Sequence, residues 1–438
     1  MNVLMAGVWH LGSVIGACLA EAGHQVHLWD QNSPVAEKWK NGQTPIHEPG
    51  LNEMVAKHWR TNLHWTENLK EVSKKADWIC ITYDTPINEK DEVQLQVVED
   101  GFDTIIKSGI SENCHFFLTS QLPVGTSRRF RARILTAFPA WKGHLFYQPE
   151  NLRLGEAIKS FQNPDRMVLG LDQLERRENL VSQFQQLTGN STTPLNFMGL
   201  ESAEMVKHAM NSFLATCVVF ANEISDVCEK QGADAWDVMN SLKQDSRVGP
   251  KAFLRPGLGF SGGTLARDVK TLSHLSQREP AQNLFDQLYR INLLRDDWVV
   301  EKLLENLKSL EKKKIVLLGI TYKPGTSTVR RSPALEISRL LFRNGAKCVA
   351  LDPMADLREL NPSERANLSF VLEKDPQTAF RDADAAVLVT EWPQFKELNW
   401  NQMKSEMKTP LLIDCKNFFS AETVRDFTHV IPGKGMLS

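Results

Sequence analysis

The sequence predicts an α/β protein: two doubly wound, mostly parallel sheets joined by a central region built on one long helix. Three observations carry this. The chain opens as strand, glycine-bearing turn, helix and second strand, NVLMAGVWHLGSVIGACLAEAGHQVHLWD. Near its middle, ESAEMVKHAMNSFLATCVVFANEISDVCEKQG repeats its apolar residues at helical spacing. After the charge run EKKK a second strand–helix–strand pattern begins, and that composition shift marks a boundary. With 438 residues and 42% hydrophobic content the chain has material for large cores and two or three domains. The expected division is 1–199, 200–310 and 311–438.

In the opening segment, a dinucleotide fold wants glycines at the first, third and sixth places of its turn. They serve the tight bend, close approach of the pyrophosphate, and helix-on-strand packing. Gly7 and Gly12 fill the first and last places, and Trp9 takes the middle one. Main-chain amides do most of the pyrophosphate holding, so a side chain at that place has room to point away. Asp30 ends the next strand, where a carboxylate takes the ribose hydroxyls of NAD and repels the extra phosphate of NADP. The interrupted fingerprint is weak alone; strand context and Asp30 together predict a Rossmann-like NAD site. DWICITYDTP and HFFLTSQLPVGT read as buried strands ending on one edge of the sheet, where ligands bind in such folds. LFYQPENLRLGEAI is again a strand running into a polar turn.

The central helix is predicted from Val206, Met210, Phe213, Leu214, Cys217, Val218, Ala221, Ile224 and Val227, with Gly232 placed to stop it. Lys207 and Asn211 lie four apart, so they share a face beside the apolar stripe. The segment ends in FLRPGLGFSGGTLARD, a glycine-rich and therefore flexible loop running up to Asp268. A lysine, an amide and a carboxylate near flexible backbone point to an oxyanion site, although each alone also reads as a solvated polar position. A second helical region spans roughly Ala281 to Leu310. Lys312–Lys314 reads as a solvated linker. Beyond it come the strand KIVLLG, the helix PALEISRLLFRNGA and the strand CVALDP, then two more strands in DAAVLVTEW and LLIDCKN.

Net charge is −2, so nothing argues for a nucleic-acid or membrane surface. The eleven tryptophans are scattered and form no stacking platform for single strands. Seven cysteines without a CxxC pair fit free thiols in a reducing cytoplasm, and no His/Asp/Glu spacing suggests a metal. No secretory leader or bilayer-spanning stretch is expected. His10 reads as a packing or polar contact rather than a proton donor, and His47 and His208 as structural or solvated.

The motifs GVWHLG with Asp30, NGQTPIHEPGL, YDTP, SQLPVGT, QPENLRLGEAI and NPDRMVLG are followed, in order, by EMVKHAMNSFLA, FANEI and FLRPGLGFSGGTLARD. GITYKPGTSTVRRSPALEI, VTEWPQF and IDCKN complete the set. Together they resemble the UDP-glucose/GDP-mannose dehydrogenase family over nearly the whole chain. The resemblance implies an N-terminal NAD domain, a C-terminal Rossmann-like domain holding the nucleotide of a UDP-sugar, and central helices forming a homodimer core. In that family the sugar's primary alcohol is oxidised to a carboxylate with two NAD.

Residue by residue, the resemblance implies that Lys207, Asn211 and Asp268 form the catalytic set. Asp268 takes the hydroxyl proton through a water, while Lys207 and Asn211 stabilise the oxyanion. Glu150, Asn151 and Leu152, the run Phe253, Leu254, Arg255, Pro256 and Gly257, and Lys323 match positions lining the nucleotide-sugar site. Glu150 also counts among the catalytic candidates. Arg247 matches an arginine reaching the neighbouring subunit's site. Cofactor positions are Gly7, Trp9, His10, Leu11 and Gly12 of the turn, with Asp30, Thr85, Gln121, Leu154, Arg267 and Arg330.

Several of these residues depart from the family pattern. Thr264 stands where the family has its nucleophilic cysteine. The family's second oxidation needs a thiolate to trap the aldehyde, and an unassisted threonine hydroxyl does not ionise near neutrality. Leu154 replaces a glutamate that helps hydrolyse the thioester, and Gln121 replaces a threonine. Ser261, Ala266 and Arg267 replace Gly, Pro and Lys. Three readings follow. One is a nucleotide-sugar dehydrogenase working without a thioester, either stopping at a carbonyl or oxidising a hydrated aldehyde directly. Another is a two-step 6-dehydrogenase with a substitute for the thiol; Cys217 reads as core and is not that substitute. A third is a catalytically silent nucleotide-sugar-binding protein, if Trp9 fills the pyrophosphate site. A β-hydroxyacid dehydrogenase also carries Lys and Asn four apart on a helix, but the C-terminal α/β domain and the FLRPG loop argue against it.

Overall fold

The structure is a computed structural model describing residues 1–86, 88, 92–150, 152, 155–164, 166–189 and 193–434. It forms two compact units, Met1–Met210 and Asn211–Ser438. Asn151 and Leu154, two expected site positions, lie outside the described residues.

The first unit is built on eight strands: β1 (Asn2–Ala6), β2 (Gln25–Trp29), β3 (Leu63–Trp65), β4 (Trp78–Ile81), β5 (His115–Leu118), β6 (Leu145–Tyr147), β7 (Met167–Leu171) and β8 (Leu195–Gly199). Their order is β3-β2-β1-β4-β5-β6-β7-β8. Every neighbouring pair is parallel except β6 with β7. Side chains alternate across a strand, so a sheet buried on both faces needs apolar residues in continuous runs. β1 supplies such a run. Val3 and Met5 join one core with Val14, Ile15 and Leu19 of the first helix (Leu11–Glu21), while Leu4 and Ala6 join another with Phe102, Phe130 and Ile134. Helices therefore cover both faces, and the sheet is doubly wound as the sequence predicts.

The second unit repeats the plan with β9 (Lys314–Leu318), β10 (Lys347–Leu351), β11 (Phe370–Glu373), β12 (Ala385–Leu388), β13 (Leu411–Asp414) and β14 (Thr428–Val430). The order is β11-β10-β9-β12-β13-β14, and all pairs are parallel. On β9, Ile315 and Leu317 pack with Ile337 and Leu341, while Val316 and Leu318 pack with Phe380, Trp400 and Met403. The long helix spans Leu200–Gln231, close to its expected bounds. It ends where Gly232 takes the left-handed region at φ 71°, a conformation that favours glycine.

Candidate active site

The glycine turn follows β1 in the first unit. Gly7 has φ +90°, and a Cβ built on it would lie 2.5 Å from the Tyr83 nitrogen. A Cβ on Gly12 would lie 2.1 Å from the Gly7 oxygen and 2.5 Å from Thr82 Oγ1. Neither position admits a side chain, because the turn packs directly on the backbone leaving β4. Thr82 Oγ1 donates to the Gly7 carbonyl at 2.7 Å, and Ser13 Oγ and Trp39 Nε1 donate to the Val8 carbonyl at 2.7 and 2.8 Å. The first helix starts after His10 with no side-chain cap of its own, the kind of amide end that receives an anion. Trp9 is 46% exposed, and its ring meets that of His10 edge-on.

Asp30 is buried where β2 ends, and its carboxylate accepts from the amides of Val8 at 2.7 Å and Asn32 at 2.8 Å. Burial raises its pKa above the usual carboxylate range. A carboxylate has about four lone-pair sites, so about two remain for ribose hydroxyls. Close-packed glycines, an uncapped helix end and an acid on the second strand fit a dinucleotide. Thr85 and Gln121 are buried beyond β4 and β5, Leu152 is half-buried, and Leu11 is buried in the first turn of the helix.

Lys207 is 8% exposed, and its Nζ lies 3.7 Å from the half-buried Glu150 carboxylate. Two acids of this unit anchor loops where sequence reasoning assigned no role. Glu48 is 2% exposed and accepts from the amides of Gly155 at 3.0 Å and Ala157 at 2.8 Å, with His10 Nε2 at 3.4 Å. This supports His10 as a polar contact. Glu204, fully buried on the long helix, accepts from the amides of Gly125 at 2.6 Å and Ser127 at 2.7 Å, anchoring the SQLPVGT loop and capping the helix Thr126–Ala137. His208 is buried against the Leu122 carbonyl, a structural place, and His47 is exposed.

In the second unit Asn211 Nδ2 donates to Asp268 Oδ2, with Asn211 5% and Asp268 0% exposed. Arg267 Nε lies 3.7 Å from the other carboxylate oxygen. Asp268 sits in the first turns of the helix Thr264–Ser276, and Thr264 opens that helix with its side chain exposed. The loop before it is held rather than flexible, a correction to the sequence expectation. Asn222 Oδ1 accepts from the Gly257 amide at 2.9 Å, Arg295 Nε donates to the Gly257 carbonyl at 2.8 Å, and Asn292 Oδ1 accepts from the Phe260 amide at 2.7 Å. A Cβ on Gly259 would meet Asn292 Oδ1 at 2.7 Å, so glycine here permits close packing. Leu254, Pro256 and Gly257 are buried, while Phe253 and Arg255 are exposed, the latter donating to the Lys416 carbonyl.

Lys323, Arg330 and Arg247 make local contacts of their own, and Gly262 of the loop donates to the carbonyl of Arg331, next to Arg330. All three are exposed: Lys323 lies over the Tyr322 ring, Arg330 donates to the Glu359 carbonyl at 2.7 Å, and Arg247 pairs with Asp245 at 2.7 Å. All seven cysteines are buried and unpaired. Burial raises every thiol, Cys18, Cys114 and Cys348 to about 12.

A doubly wound sheet with this turn and a terminal acid on its second strand defines a dinucleotide-binding α/β protein. The chain belongs to the UDP-glucose/GDP-mannose dehydrogenase family. The family's NAD binding domain matches residues 1–188, its central domain 201–293 and its UDP binding domain 316–421. The UDP-glucose 6-dehydrogenase of Rhizobium meliloti (strain 1021) is 33% identical over 97% of both chains. That of Bacillus subtilis (strain 168) is 32% identical over 97% of this chain and 91% of its own. A solved UDP-glucose dehydrogenase from Pyrobaculum islandicum has a TM-score of 0.81 at 26% identity, covering 99% of this chain and 97% of that one. The protein is thus an NAD-dependent nucleotide-sugar dehydrogenase acting on a CH–OH group.

Proposed function

We propose that the chain oxidises the alcohol of a UDP-sugar by hydride transfer without passing through a covalent thioester. The observation that carries this is Thr264 at the head of the helix bearing Asp268, in a chain whose seven cysteines are all buried. When bound, NAD accepts the hydride from the carbinol carbon. The turn from Gly7 to Gly12 and Asp30 hold it. Asp268, through a water, takes the hydroxyl proton, and the Asn211 amide fixes the orientation of that carboxylate. Lys207, one turn before Asn211 on the same helix, supplies the cation that stabilises the developing alkoxide. Gly257 and its neighbours offer a pinned loop to the diphosphate. Products of the first step are a carbonyl, reduced cofactor and a proton.

A homodimer and the three-part division at 199/200 and 310/311 belong to the same proposal. Phe213, Phe220 and Val227 are 66%, 44% and 55% exposed and recur every seven residues along the long helix, the spacing of an interhelical seam. No helix among the described residues is long and apolar enough to cross a membrane. Seven unpaired thiols support a reducing, cytoplasmic compartment.

The test is turnover with a panel of UDP-sugars, quenched under denaturing conditions and weighed by intact-mass spectrometry while NADH is counted. The expected result is NADH with no sugar adduct on the chain. One NADH per sugar marks arrest at the carbonyl, and two mark direct oxidation of the hydrate. A covalent adduct, or no NADH with any sugar, overturns the proposal.

A further inference from the structure

Asp84 has no role in the chemistry above, yet it lies against the cofactor turn. β1 and β4 pair in register to Ala6 with Ile81, and the Thr82 amide continues the ladder to the Ala6 carbonyl at 2.8 Å. The next residues of both strands therefore leave the sheet side by side. On one side these are Gly7 through His10; on the other they are Tyr83 and Asp84. The His10 amide points at the Asp84 carboxylate, and Asp84 Oδ2 is sealed from solvent with no hydrogen-bond partner. A carboxylate that faces the first amide of a helix and keeps one oxygen without a donor is a mimic of the anion such an end receives.

We propose that Asp84 is a cofactor-facing residue whose carboxylate holds the pyrophosphate position at the first helix, so that NAD enters that position only with Asp84 protonated. The groups facing it make the neutral form accessible. Burial, then the Glu150 carboxylate beyond β6, then Asp30 beyond β2 push Asp84 up to about 7, against a partial offset from the His10 amide. Glu48 stands behind His10, and Glu150 is itself engaged by Lys207 at 3.7 Å. A pyrophosphate brings two more negative charges to the same donors, which favours the neutral acid further. Once protonated, Asp84 has an O–H to donate to a phosphate oxygen. The proton balance is one taken from solvent for each NAD bound above pH 7.

Isothermal titration of the full chain with NAD, in two buffers of different ionisation enthalpy, reads that proton directly. At pH 8 the wild type should take up about 0.9 proton per NAD. Its Kd should weaken about fivefold from pH 7 to 8 and about ninefold from 8 to 9. Asp84→Asn should take up none, and its Kd should stay flat and lie about tenfold below the wild type at pH 8. No proton uptake by the wild type, or unchanged uptake by Asp84→Asn, overturns the proposal. Loss of NAD binding in both Asp84→Asn and Asp84→Gly also overturns it, because removing the charge should favour the dianion.

Discussion

Thr264→Cys tests where the reacting carbon sits. The substitution replaces an exposed hydroxyl at the first position of the helix Thr264–Ser276, so the change opens no cavity and strains no packing. A helix N-terminus favours an anion by about 0.3–1 kcal/mol, which leaves roughly a third to three fifths of such a thiol ionised at pH 8. Asp268, one turn along, adds a like charge, but its carboxylate is engaged by Asn211 and lies near Arg267. A substantial thiolate fraction therefore survives, enough to attack an aldehyde formed beside it. The assay is intact mass after denaturing quench during turnover, with NADH counted per sugar consumed. The expected variant carries a sugar adduct. It accumulates, because Leu154 and Gln121 stand where the family has the glutamate and threonine of its pattern. A folded variant with no adduct and unchanged stoichiometry would refute the placement of Thr264 at the reacting carbon.

Two further variants probe other parts of the chain. Glu204→Ala removes two charge-assisted hydrogen bonds to the amides of Gly125 and Ser127 and should destabilise the first unit by about 3 kcal/mol, read by urea unfolding. Burial raises the Glu204 carboxyl above its ordinary 4.5, so its titration favours folding fully below that value and loses the benefit as pH rises through the folded value. The alanine variant should lack that slope, and an unchanged pH profile would remove Glu204 as its source. Phe213→Asp with Phe220→Asp should weaken self-association at least about 100-fold in sedimentation velocity, since each buried Phe contributes about 1.5–3 kcal/mol. An unaltered dimer would place the interface elsewhere.

The elements were legible where their signals are local. Continuous apolar runs in LLIDCKN and KIVLLG, and the helical spacing from Val206 to Val227, contain what is needed to predict strand and helix. Asp30 was legible because strand and turn fix its distance from Gly7. Glu204, Glu48 and Asn222 were not, since each works on amides 35 or more residues away, and a glutamate on a helix looks like any solvated acid. Asp84 lies inside a motif whose one assigned residue is Thr85, and only the neighbouring strand's exit reveals what it faces. The glycines of FLRPGLGFSGG looked like mobility. In the fold, Gly259 admits Asn292, and pinning from the side chains of other helices replaces freedom with order.

The burial of all seven cysteines has a practical consequence. Soft electrophiles such as maleimides find no ready target on the native surface, so a fluorophore or spin label attached through one added cysteine reports from that place alone. Motion during turnover becomes observable in an otherwise unaltered sequence, without first stripping native sulfur from the chain.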